Sequence, residues 1–396
     1  MPPDRTVSPE PDEQQIVTDQ VAPASKSSRI RELDFCRALA ILGVLANHLL
    51  VATPALVTHT PSGLPHWLDV TLNLGWLGVD LFFILSGFLI TTILLGSRGS
   101  GTARYFGRFY ERRALRILPV YLIVVALLAI AYIPTTGPGY FALCIAFAAN
   151  LSALFPSIMI PNGGGPLWSL AVEEQFYLVW PWLILAFDRS KLWLVLLAVL
   201  IVVPILRTGH TDARIELTWF RCDGLALGAL LALWFTSKFH NPRNDDRLAL
   251  GLLAIAVLLI LATFPFGGLH GGTLSRATRI SEAICFFGAL VVFAISHTGR
   301  PESAFMRVPF FLLTADFSYC LYLIHTPLID VYQAVVGRFF PALPDALGPL
   351  GTNLLRTAII LVASYALAAL SNRFIEQPFL RMGRHERAHA IAPATR

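Results

Sequence analysis

Charge is scarce in this sequence. Only 14% of its 396 residues are Asp, Glu, Lys or Arg, while 55% are hydrophobic. Soluble domains are about a quarter charged, so the shortage excludes a water-covered globule of this length. Paired cysteines are also missing. Cys36, Cys144, Cys222, Cys285 and Cys320 stand singly in or beside apolar runs, with no C-x-x-C spacing. That excludes a disulfide framework and a cysteine zinc site, and the five read as small core residues. No metal site is expected. Fixed-period repeats and a soluble domain are absent as well. The net charge of +5 does not argue for a nucleic-acid partner, because its arginines lie in short loops between apolar runs.

Long apolar runs are what the sequence has. Eleven stand out: 38–57, 74–95, 117–133, 140–156, 170–187, 191–206, 219–236, 248–266, 280–296, 309–333 and 353–371. Roughly 20 apolar residues cross the hydrocarbon of a bilayer. The fold class is therefore all-α, a polytopic integral membrane helix bundle. Residues 1–28 are rich in Pro, Ser, Gln and acids and read as a disordered cytoplasmic tail. They contain no apolar core of a signal peptide. The membrane domain is expected over 29–380 and a basic cytoplasmic tail over 381–396.

Loop charge sets the expected topology. Lys26, Arg29 and Arg31 precede the first span, and Arg98, Arg104, Arg108, Arg112, Arg113 and Arg116 crowd 98–116. Both places read as cytoplasmic, and the sparsely charged 58–73 loop as external. Basic residues at 188–191, 238–247, 300–307 and beyond 372 read as internal too. Two cytoplasmic termini require an even number of crossings, so one of the eleven segments does not cross. The short 140–156 run, followed by the glycine-rich Pro161–Pro166 stretch, is the one expected to be re-entrant. Irregular backbone at membrane depth needs a protein or cavity wall around it. The expectation is about ten transmembrane helices plus one re-entrant segment, in the inner (cytoplasmic) cell membrane.

Ionisable residues inside spans are costly and face the bundle interior or a wet cavity. Those found are Arg37, His48, Asp80, Glu173, Glu174, Arg221, Asp223, Glu282, Asp316 and His325. Arg37 and His48 are eleven residues apart on one apolar helix. At about 100° per residue they differ by roughly 20° in direction and about 16 Å in depth, so they are expected to face one cavity at two depths. Asp34, three residues before Arg37, is placed to pair with it. An imidazole with a pKa near neutrality suits a general base, although a core histidine satisfied by backbone is the plain alternative. Arg113 and Arg116 share a helix face beside Arg112. Such clusters usually signal topology or meet anionic headgroups, and they also suit a phosphorylated ligand. Glu173 and Glu174 head an aromatic-rich span, and one of them is expected to face the cavity. Tyr319, Tyr322 and His325 recur every three residues, either as a cavity lining or as a packing stripe.

Six stretches in order resemble the membrane acyltransferase family 3. They are RELDFCRALAILGVLANH (31–48), GWLGVDLFFILSGFLIT (75–91), YERRALRILPVY (110–121), PLWSLAVEEQFYLVWP (166–181), FSYCLYLIHTP (317–327) and RFIEQP (373–378). A weaker seventh is RCDGLALGAL (221–230). Phe35-Cys36 departs from a common Gly-Leu type pair, at positions with no expected chemistry. The resemblance implies an O-acyltransferase that moves an acyl group, expected to be acetyl, from acyl-CoA to a hydroxyl of a sugar-containing acceptor. Such an acceptor is a surface polysaccharide, a lipopolysaccharide or a glycosylated metabolite. It implies acyl-CoA as co-substrate, no permanently bound cofactor, and the lipid bilayer as surroundings. By motif, His48 and Glu174 are implied as catalytic, and Arg37, Arg113 and Arg116 as donor-binding. Asp34, Asp80, Tyr322 and His325 are expected to orient groups or line the cavity. Some members carry a fused extracytoplasmic hydrolase-like domain, which is not expected here. The rival readings are a proton-coupled transporter or flippase and a non-catalytic partner in polysaccharide export.

Overall fold

A computed structural model describes residues 29–51, 64–208, 215–263 and 273–382, with side chains from 278 onward in the last stretch. The expected tails, 1–28 and nearly all of 381–396, lie outside these residues, as does the start of the 58–73 loop. Among the described residues the regular structure is entirely helical. The helices are α1 (Arg31–Ala46), α2 (His66–Asn73), α3 (Gly78–Ser97), α4 (Thr102–Thr136), α5 (Gly139–Ile145), α6 (Leu167–Ala186) and α7 (Arg189–Arg207). They continue as α8 (Thr218–Arg221), α9 (Asp223–Phe235), α10 (Asp245–Thr263), α11 (Thr273–Ser296), α12 (Pro309–Phe339) and α13 (Leu343–Ser371). Among the described residues, eight helical stretches are long and apolar enough to cross a membrane. The 20-residue α6 and the 13-residue α9 add two further apolar helices, at the places of the 170–187 and 219–236 runs.

The bundle is layered by burial. In the apolar window of the stretch 66–97, 72% of residues are buried, against 11% for 242–263. The α3 stretch is therefore the central post, and α10 is a peripheral helix. Large apolar side chains such as Leu127, Ile130, Leu194, Ile201, Leu258 and Val362 point outward from the helices, as a lipid-facing surface requires.

Central helices come close because glycine lets their backbones meet. A Cβ on Gly75 would stand 2.1 Å from the Gly43 carbonyl oxygen, and one on Gly228 would stand 2.0 Å from that of Ile84. Small residues at such crossings are how membrane helices pack without a hydrophobic driving force between them. Two buried ion pairs tie the same region together. Arg207 pairs with Asp223 at 2.8 Å, and Arg221 with Asp80 at 3.1 Å.

The 140–156 run does not form a span. It holds the seven-residue α5 and a 3₁₀ turn at Ala149–Leu154, with Phe147 at φ 51° between them. Glycine and proline at 137–139 and 161–166 bound it on both sides. Side chains meet carbonyls of the run and of the stretch that follows it. The Tyr121 hydroxyl donates to the Cys144 carbonyl at 2.8 Å, Tyr140 to Gly164 at 2.6 Å, and Thr326 to Gly163 at 2.8 Å. The run is thus held to α4, and the 161–166 stretch after it is held to α12.

Candidate active site

The buried polar residues gather around two cavities within the bundle. Arg37, Arg113, Arg116, Ser86, Glu173 and Tyr177 contribute to the lining of the first, which has a volume of about 120 Å³. The second, about 410 Å³, is bounded by His48, Trp76, Trp168, Glu216, Asp330 and residues of the 160–166 stretch. The second is within the size range of small-molecule sites, and the first is a narrower space. Val79 and Tyr322 line both. Arg37 and His48 thus face two adjoining cavities instead of one cavity at two depths.

Eleven residues at about 1.5 Å rise set them about 16 Å apart along the helix, far enough to reach two cavities. The α1 helix widens into a π turn at Asn47–Val51, where His48 sits. Single π turns of this kind are common at functional sites. Asn47 fixes the turn by donating from Nδ2 to the Asn73 carbonyl at 3.1 Å. Arg356 and Thr357 of α13 donate to the Leu49 carbonyl, so its freed acceptor is satisfied.

His48 stacks on His325, with ring centroids 5.0 Å apart, and its Nδ1 lies 2.7 Å from His325 Nε2. His325 Nδ1 lies 3.1 Å from the Leu321 carbonyl oxygen. A carbonyl only accepts, so His325 carries its proton on Nδ1. In the neutral pair, His325 Nε2 must then accept, and His48 Nδ1 must donate to it. The tautomer left on His48 has its lone pair on Nε2.

The arginine cavity is built differently. Arg37 donates to Asp34 at 2.8 Å, the pairing expected from their spacing, and Arg29 braces the other carboxylate oxygen of Asp34. Arg113 lies over the Tyr177 ring at 5.1 Å. Neither Arg113 nor Arg116 forms an ion pair among the described residues. Of the two adjacent acids, it is Glu173 that lines this cavity, where it accepts from the Ser86 hydroxyl at 2.6 Å. Glu174 does not appear on either lining, and its Oε1 is buried with no hydrogen-bond partner among the described residues. Gln175, beside them in the motif, is a clamp. It donates to the Phe147 carbonyl and to Asn150, and accepts from Thr218.

Asp80 lies away from both linings, in its ion pair with Arg221. The Arg221 guanidinium also sits 5.6 Å from the Trp76 ring and 5.2 Å from the Trp168 ring, behind two walls of the histidine cavity. Tyr322 stands at the junction of the two cavities, with its hydroxyl 2.5 Å from Ser169 Oγ and 3.2 Å from the Pro166 carbonyl. Three residues escape a reading of the sequence. Glu216 lies in a short connection between helices, where an acid is unremarkable. Asp330 and Arg356 lie within the long helices α12 and α13, outside the motif stretches. The signal that could have found Asp330 is its spacing of four from Thr326 and eight from Tyr322 on α12.

Residues 30–373 match the family described as the acyltransferase domain. The chain belongs to that family. It is similar to the peptidoglycan O-acetyltransferase OatA of Listeria monocytogenes, at 27% identity over 89% of this chain and 56% of that protein. It is also similar to the putative peptidoglycan O-acetyltransferase YrhL of Bacillus subtilis, at 29% identity over 89% of this chain and 55% of that protein. A third relative, the O-acetyltransferase OatA of Staphylococcus aureus, is 26% identical over 89% of this chain and 57% of that protein. The chain thus spans somewhat more than half the length of these relatives. No solved structure matches it.

Proposed function

We propose that this protein is a membrane O-acyltransferase. In this reading it moves an acetyl or related acyl group from acyl-CoA, through the arginine cavity, to a hydroxyl of a carbohydrate held in the histidine cavity. The observation that carries the reading is the adjacency of the two cavities. One presents Arg37, Arg113 and Arg116, and the other presents an imidazole whose bare nitrogen is Nε2. Arginines suit the phosphates of a nucleotide thioester. By the positive-inside rule their end of the bundle is cytoplasmic, where acyl-CoA is made. Both chain termini lie on that side, in the cytoplasmic membrane.

The reaction follows from the tautomer. His48 Nε2 takes the proton of the acceptor hydroxyl, and the oxygen attacks the thioester carbonyl. The carbon–sulfur bond breaks, the acyl group passes to oxygen, and the proton returns from the imidazolium to the departing thiolate. His325 holds Nδ1–H of His48 and shares the positive charge while it exists, as a positioning residue. Asp34 holds Arg37 in place. The relatives named as peptidoglycan O-acetyltransferases support a carbohydrate acceptor.

Purified protein supplied with labelled acetyl-CoA and cell-envelope glycans tests this. Transfer of label to an alkali-labile ester, lost in His48→Ala with membrane insertion intact, is the expected result. Unaltered acylation by His48→Ala would remove the imidazole from the chemistry. Movement of substrate across the membrane without acylation would favour a transporter.

A further inference from the structure

We infer that the histidine cavity selects its acceptor by charge, taking a neutral or cationic polyol and rejecting one with an anionic group on the reacting sugar. The inference rests on the acceptor reading above and adds the specificity of that site.

The two cavities have opposite electrostatic character. Three arginines line the first, whereas Glu216 and Asp330 are the only formally charged side chains among the described residues lining the second. The Asp330 carboxylate accepts from the Tyr132 hydroxyl through Oδ2 at 2.8 Å. Gly163 leaves room for it there, because a Cβ at that position would stand 2.9 Å from the same oxygen. Glu216 makes no hydrogen bond among the described residues and faces the same space. An ionised carboxylate offers about four acceptor sites, and the matching donors are sugar hydroxyls or an ammonium group. Trp76 and Trp168 supply apolar faces for the C–H side of a ring. Arg221, set behind both tryptophans and paired with Asp80, fixes those faces. An anionic substituent entering this cavity loses its water beside two acids, meets like charge wherever they are ionised, and finds no lysine or arginine on the described lining. That arrangement penalises anions more than it favours cations.

The test is saturation binding to the full chain in detergent, read by tryptophan fluorescence, with methyl glucoside, glucosamine and glucuronate as matched probes. Glucuronate is expected to bind at least tenfold more weakly than methyl glucoside. The double variant Glu216→Gln, Asp330→Asn should narrow that gap to within about threefold. His48→Ala should keep the wild-type preference, so selectivity is read whether or not transfer from acyl-CoA occurs. Equal binding of glucuronate overturns the inference. So does discrimination that survives in the double variant, or the absence of saturable binding by any probe.

Discussion

At the scale of single residues, the bare nitrogen of His48 is set by a backbone carbonyl two steps away. Leu321 takes the proton of His325 Nδ1, His325 Nε2 takes that of His48 Nδ1, and Nε2 of His48 is left bare. General-base catalysis contributes about 10²–10⁴-fold to a rate. His48→Ala is therefore expected to lower acyl transfer by at least that much. His325→Phe should fill the space, remove the acceptor for Nδ1–H and lower kcat about 10–10²-fold with little change in KM for the donor, by analogy with outer partners of ligating histidines. A change in KM alone would show that His325 is only packing. Glu216 supplies a pH dependence. Burial pushes its carboxyl up to about 7, against the opposing pull of Arg221. Above that pH the group is an anion facing the cavity it shares with Asp330 and His48. Rejection of glucuronate should therefore grow between pH 6 and pH 8 and flatten in Glu216→Gln, as measured by binding at both values.

The residues show what a sequence can reveal and where it stops. The i,i+3 step from Arg113 to Arg116 put two arginines on one face, and the charge of Arg37 stood out in an apolar helix, but only the family resemblance joined the three as a group. Asp34–Arg37 pairing followed from spacing alone. The separation of Arg37 from His48 in depth was legible from their spacing, but the two cavities were not. Nor was the π turn at 47–51, whose groups meet Asn73, Arg356 and Thr357, all distant in sequence. The choice between Glu173 and Glu174 was likewise decided by Ser86 on another helix. Glu216 gave no sequence signal, since only the closure of α8 onto α6 gives its loop a cavity to face.

At the scale of elements, the α3–α9 crossing sets the separation of the parts. Gly87 and Gly228 meet opposite backbone, and a Cβ on either would stand about 2 Å from a carbonyl oxygen. Gly228→Val is expected to lower stability by about 1–3 kcal/mol, the usual cost of overpacking, seen as a lower thermal midpoint in detergent. The Arg207–Asp223 pair nearby has no exposure to share its cost. Removing one partner of such a pair costs about 3–5 kcal/mol, so Asp223→Ala should destabilise the fold more than Gly228→Val. A midpoint unchanged in Asp223→Ala would show that the ion pair is dispensable. The interruption at 140–166 was legible, because the run is short and glycine and proline follow it at 161–166. The place of 160–166 in the wall of the histidine cavity became visible only with the hydroxyls of Tyr140 and Thr326 that hold it.

At the scale of the whole molecule, the bundle holds a cationic cavity and an acidic one back to back, meeting at Val79 and Tyr322. For the proposed reaction, this arrangement would keep a polyanionic donor and a polyol acceptor in separate cavities, with the thioester reaching between them. Reporter fusions at both termini should read as cytoplasmic, in keeping with the arginine-rich loops. Donor binding and imidazole chemistry are proposed to reside in different cavities. Equilibrium binding of coenzyme A to the purified protein tests this most directly. His48→Ala is predicted to bind coenzyme A as tightly as the unaltered protein, and Arg113→Ala with Arg116→Ala at least tenfold more weakly. Loss of binding in His48→Ala, or undiminished binding in the double arginine variant, would contradict it.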